Sequence, residues 1–173
     1  MKPIKIDPRE HKVVKSLPAG MTCFGCSDGP TFGLGLRAYR TEDGCVVAKL
    51  RTKLSHASFP GVIHGGIVAS YFDELLWYNT WKDDFREHIS MTAEMNVKYF
   101  APVPAGVDIT IVGDPAEVDG RHLHINGRII LEDGTVAATA RAHFIIINKP
   151  ADEGELEEPP RPVYGEDMES FYF

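Results

Sequence analysis

Polar and apolar positions alternate most clearly in the second half of the chain. From Arg121 to Glu132, Leu123, Ile125, Gly127, Ile129 and Leu131 fall on one face, and His122, His124, Asn126, Arg128 and Ile130 on the other. This period of two predicts a half-buried strand. Asp133-Gly134 follows as a hairpin signal, and Thr135 to Ile147 as the returning strand. Upstream, Val107 to Val118 reads as a strand in which Gly113 and Pro115 predict a bulge or bend. Ile89 to Phe100 alternates moderately and stops at Ala101-Pro102-Val103-Pro104-Ala105-Gly106, a turn by composition. Near the start, Thr31 to Arg40 and Cys45 to Thr52 read as two strands joined by the Thr41-Glu42-Asp43-Gly44 turn.

One segment breaks the alternation. After a loop over Lys53 to Val62, the run Ile67 to Trp77 is apolar almost all round, so a helix from about Gly65 to Trp81 is predicted to lie in a core or at an interface. Its aromatic group, Tyr71, Phe72, Trp77, Tyr78 and Trp81, fits either place. The element order is therefore strand, strand, one buried helix and four strands. Such a helix is best covered by an antiparallel sheet that curls round it, an α+β architecture. Residues 1–20 are charged and Pro-punctuated and read as a lead-in with at most one short helix. Residues 21–147 form the domain, and the acidic, Pro-containing residues 148–173 are expected to run over its surface.

Composition narrows the function. At 173 residues and 43% apolar content the chain suits one globular domain with a real core. A net charge of −7 without a long Lys/Arg block argues against nucleic acid or an anionic membrane as partner. The N-terminal MKPIKIDPREHKVVK has no uninterrupted apolar run and reads as mature protein rather than as a secretory leader. No stretch approaches the roughly 18–20 apolar residues of a membrane span. Three cysteines, Cys23, Cys26 and Cys45, do not make a secreted disulfide framework, so a cytoplasmic location is expected. A closed zinc site needs four ligands. No second half-motif accompanies Cys23 and Cys26, so they are read as a packed turn, with no metal and no cofactor expected.

The chemistry gathers at His64-Gly65-Gly66 and Asp73-Glu74. A Gly-Gly pair at a helix start leaves backbone N–H groups unpaired and lets a ligand approach the main chain. A carboxylate in the middle of an apolar helix is paired, protonated or functional.

The His-Gly-Gly turn, the acid nine positions after the His, and one helix among antiparallel strands resemble the PaaI-like group of hotdog-fold acyl-CoA thioesterases. Two further stretches carry the resemblance. Cys23-Phe24-Gly25-Cys26 with Gly33-Leu34-Gly35-Leu36 is similar to the group's N-terminal signature. Thr92-Ala93-Glu94-Met95-Asn96-Val97-Lys98-Tyr99, then Pro102, is similar to its strand after the helix. The likeness covers about residues 22 to 147. It departs at Ser27, where relatives carry Gly, and at Asp28-Gly29-Pro30, where they carry Asn-Pro. Ser58 stands six residues before His64, where several relatives have a water-orienting Asn. The resemblance implies a hotdog fold, an acyl-CoA substrate and a homo-oligomer, dimer or tetramer. It also implies that Thr92 hydrogen-bonds the attacking water or the acid, a role a hydroxyl can fill.

Hydrolysis of a thioester needs a donor for the carbonyl oxygen and a base or nucleophile for the carbonyl carbon. Gly65 and Gly66 are the expected donors, and Asp73 is the expected base or nucleophile. His64 either caps the helix or bonds near the thioester. Glu74 points about 100° away from Asp73 round the helix and is a supporting or substrate-side residue. Gly65 and Asp73 are eight residues apart, about 12 Å along one axis, whereas donor and base must each lie within about 3 Å of one carbonyl group. Two antiparallel helices across a two-fold axis satisfy both demands, so at least a dimer is expected. The competing reading is a non-catalytic acyl-CoA binding or sensing protein. A dehydratase is a weaker alternative, because His56-Ala57-Ser58-Phe59-Pro60-Gly61 only faintly resembles the dehydratase motif.

Overall fold

The computed structural model describes residues 3–17, 23–25, 33–80, 89–147 and 168–173. Its centre is the helix α1, Gly65–Tyr78, which Asn79 closes as the C-cap. Tyr71, Phe72, Leu75 and Leu76 on its inner face are fully buried. The strands are β1 (Ile4–Lys5), β2 (Glu10–Ser16), β3 (Tyr39–Thr41), β4 (Val46–Arg51), β5 (Ala57–Phe59), β6 (Val62–Ile63), β7 (Ile89–Tyr99), β8 (Asp108–Gly113), β9 (Glu117–Asp119), β10 (His122–Leu131), β11 (Thr135–Ile147) and β12 (Ser170–Tyr172). Ten of them form one antiparallel sheet in the order β1-β11-β10-β8-β4-β3-β2-β12, with β7 on β11 and β9 on β10. β5 and β6 make a separate hairpin leading into α1. An antiparallel sheet curved round a single helix is the hotdog arrangement that the resemblance implies.

The helix sits unusually close to the strands behind it. A Cβ built on Gly127 of β10 would stand 2.8 Å from a Leu76 methyl and 3.2 Å from the Phe72 ring. One built on Gly113 of β8 would stand 2.8 Å from Leu76 and closer still to the Asn79 amide. Real Cβ atoms do not approach this closely, so the two glycines form the bed in which the helix lies.

The hairpin of β10 and β11 emerges as expected, with alternation clear in β10, His124 opposite His143 and Asn126 opposite Arg141. Four expectations need correction. The region from Thr31 to Arg40 supplies only the short β3. Residues 33–38 bury Leu34, Leu36 and Ala38 without joining a strand, and Gly35 there has φ +74°. Val107 to Val118 divides into β8 and β9, because Asp114-Pro115-Ala116 leaves the ladder. The lead-in holds no helix among its described residues; β2 pairs with β3 instead. Finally, the end of the chain returns to the sheet as β12 on β2, anchored by the buried Phe171 and Phe173. Trp81, Cys26 and the Lys82-Asp83-Asp84 stretch lie outside the described residues.

Phe171 and Phe173 belong to a second apolar cluster with Tyr39, Val47, Val112 and Ile130, on the sheet face away from α1. Phe173 stacks on His11 at 3.8 Å between ring centroids, and His11 Nδ1 lies 2.9 Å from Asp43 Oδ2. No helix among the described residues is long and apolar enough to cross a membrane.

Candidate active site

His64 is the N-cap of α1. Its carbonyl accepts from Ile67 N–H at 2.9 Å and Val68 N–H at 3.1 Å, and its ring accepts Gly66 N–H at Nδ1, 2.9 Å. Of the two readings open for His64, the cap is the one formed within a single chain. It also corrects the view of the glycine pair. Gly66 N–H is engaged, and Gly65 N–H is the amide for which the described residues offer no acceptor. Gly65 and Gly66 are both exposed. An unpaired amide at the positive end of a helix is a ready donor to a developing oxyanion.

Asp73 lies two turns further on, exposed on the same helix. Thr92 Oγ1 donates to its Oδ1 at 2.7 Å. Its other oxygen has no hydrogen-bond partner among the described residues, so one carboxylate oxygen is oriented and the other is open to water or to a carbonyl carbon. Thr92 reaches Asp73 because a bulge in β7 puts it opposite the buried Phe144 of β11, on the face toward the helix.

Glu74 faces elsewhere. Cys23 Sγ donates to its carboxylate at 3.5 Å and 3.6 Å, and Gly25 lies so close that an added Cβ would collide with the carboxyl group. Glu74 therefore fastens the Cys23-Phe24-Gly25 turn to the helix, and that turn in turn takes the N–H groups of Leu34 and Leu36. Ser58 is exposed in β5 and makes no side-chain hydrogen bond among the described residues. The structure thus brings together Asp73 with Thr92, and His64 with Gly66; it does not bring Ser58 or Glu74 to either pair.

Tyr99, the last residue of β7, is a residue that motif reading passed over. Its phenol donates to the Gly65 carbonyl at 2.8 Å. Ser70 Oγ also bonds the first turn, at the Gly66 carbonyl, 3.0 Å. Beneath the turn, His56 Nδ1 and the buried Tyr71 hydroxyl lie 3.5 Å apart. Burial, together with the charge of Lys53, lowers the His56 pKa, and burial pushes the Tyr71 phenol up to about 12. Among the described residues no three His, Cys, Asp or Glu side chains are grouped to hold a metal ion.

Residues 60–138 match the family model described as the thioesterase superfamily. The match covers just under half of the chain. It runs from the turn before His64 through α1 and β7 to the middle of β11, and so contains every residue of the two pairs. The chain is 29% identical to the acyl-coenzyme A thioesterase THEM4 of Mus musculus over 87 residues, 50% of this chain and 36% of that one. It thus spans well under half of that relative. Among solved structures, it is similar to the PaaI protein of the E. coli phenylacetic acid degradation operon. There the identity is 16% and the TM-score 0.58, over 66% of this chain and 81% of that chain. A thioesterase protein of Streptococcus pneumoniae solved with coenzyme A is 18% identical with a TM-score of 0.52, over 63% and 83% of the two chains. These likenesses establish the hotdog fold.

Proposed function

We propose that the chain hydrolyses acyl thioesters of coenzyme A, releasing a hydrophobic or aryl carboxylic acid and free CoA. Asp73 acts as general base toward water or as nucleophile, and the Gly65 N–H stabilises the thioester oxygen as it becomes negative. The observation that carries this reading is the Thr92–Asp73 hydrogen bond. A carboxylate on the open side of a largely apolar helix is held by one oxygen and left open at the other. The activity for which the THEM4 relative is named, and the coenzyme A in the structure of the S. pneumoniae protein, support acyl-CoA as the substrate class.

The site is completed by a second copy. Gly65 and Asp73 remain about 12 Å apart along one helix, and the side of α1 that bears them is open in a single chain while the opposite side is sealed. β7 pairs only with β11 among the described strands, so its other edge is a row of unpaired backbone groups. Joining two β7 edges about a two-fold axis extends the sheet and sets two α1 helices antiparallel. The Gly65 of one protomer then stands near the Asp73 of its partner.

The deciding experiment is a steady-state panel of phenylacetyl-, benzoyl-, hexanoyl- and palmitoyl-CoA, with free CoA measured and mass determined by light scattering. Turnover by a dimer or larger, abolished in folded Asp73→Asn, is the expected result. Tight binding of the panel without release of CoA would instead identify a binding or sensing protein.

A further inference from the structure

The Gly65–Gly66 peptide unit is gripped from both sides. Its oxygen, on Gly65, accepts from Tyr99 at 2.8 Å, and its N–H, on Gly66, donates to His64 Nδ1 at 2.9 Å. Because a peptide is planar, these two bonds together fix the rotation of the unit. The Tyr99 ring also lies along Gly65, 3.7–3.8 Å from where a Cβ would stand. Tyr99 is itself firmly placed. It pairs with Ala138, and the next two amides, Phe100 and Ala101, both donate to Ala137 O at 2.8 Å and 3.0 Å. Partial burial raises the phenol pKa further, so the hydroxyl stays protonated and donating.

We propose that Tyr99 is a positioning residue for thioester hydrolysis: by holding the Gly65 carbonyl it fixes the first turn of α1, and with it the Gly65 amide that stabilises the oxyanion. The inference rests on the function proposed above and extends it to a residue outside the His-Gly-Gly and Asp73 motif. Oxyanion donors work only when held within about 2.7–3.1 Å of the oxygen. A Gly-Gly turn has the least intrinsic stiffness of any sequence, so an external tether matters more here than at an ordinary helix start. Donation to the peptide oxygen also polarises the unit and strengthens the Gly66 N–H bond to His64 Nδ1, which tightens the same turn. β7 thereby orients both halves of the chemistry, with Thr92 holding the acid and Tyr99 holding the amide turn. Since the amide and acid of one helix serve different sites in a dimer, each β7 tunes two sites.

The test is Tyr99→Phe in the full chain, assayed on whichever of phenylacetyl-, benzoyl-, hexanoyl- or palmitoyl-CoA the wild type hydrolyses fastest. The expected result is a kcat lowered about 10- to 30-fold with KM within about twofold of wild type. The melting temperature should stay within a few degrees, and hydrogen exchange at Gly66 N–H should be faster. Tyr99→Leu should show the same fall in kcat, because the hydroxyl and not the ring is responsible. A wild-type kcat in Tyr99→Phe, or a fall confined to Tyr99→Leu, overturns the proposal while leaving the proposed function standing. A wild type inactive on the whole panel overturns both.

Discussion

The two sides of helix α1 have opposite fates. The inner side, with Tyr71, Phe72, Leu75 and Leu76, has no measurable exposure and rests on glycines of β8 and β10. The outer side, with Gly65, Gly66 and Asp73, is open to solvent in a single chain. Packing energy is concentrated on one side and unpaired polar chemistry on the other. The difference teaches that fold and activity can be damaged separately here, and that an almost wholly apolar helix can be only half satisfied by its own sheet.

The hardest blow to the comparison is Phe72→Ala. It should lower stability by about 3–5 kcal/mol, read as a shift in the urea midpoint. Activity per folded molecule should change little. Asp73→Ala should do the reverse, lowering kcat by at least about 10²-fold without loss of melting temperature. Equal stability losses in the two variants would erase the distinction. Thr92→Val, which keeps shape and removes the hydroxyl, should lower kcat about 10-fold by freeing the carboxylate it orients.

The smallest effect belongs to a site far from the helix. Burial alone would raise the Asp43 pKa, but hydrogen bonds from Thr41 and the His11 imidazole outweigh it and hold the carboxyl below its ordinary value. A depressed folded pKa means the stabilisation is present above about pH 3.9 and is lost as pH falls through the folded value. Melting curves between pH 5 and pH 2.5 should therefore fall more steeply for wild type than for Asp43→Asn. The difference should be below about 1 kcal/mol, since Asp43 is partly exposed.

The strands that frame the helix were legible because one face of each is buried and the other is not. β10 and β11 carry that contrast in their side chains, and the turns at Gly44 and Gly134, with φ of +83° and +79°, carry it in their backbone. β2 was not legible. Its sequence, Glu10 to Ser16, is half-exposed and mostly polar, and it becomes a strand because β3 and β12 supply partners. The stretch 33–38 misled in the other direction, since Leu34, Leu36 and Ala38 alternate without any ladder. At the site, the spacing of His64, the glycines and Asp73 was visible in the chain itself. The His64 cap was one of two readings the chain left open, and only the fold shows the ring engaging Gly66 N–H and so removing that amide from the expected donor pair. Tyr99 was hidden for a related reason: a tyrosine ending a strand is ordinary until the fold shows which carbonyl it meets.

The glycine bed under α1 has one more consequence. A single methyl at Gly127 would act as a shim beneath the rod, displacing the Leu76 methyl and the Phe72 ring from their seats. An alanine buried in the back of the sheet, touching no substrate, would therefore loosen the packed side of the helix and leave the acid and its threonine on the open side in place.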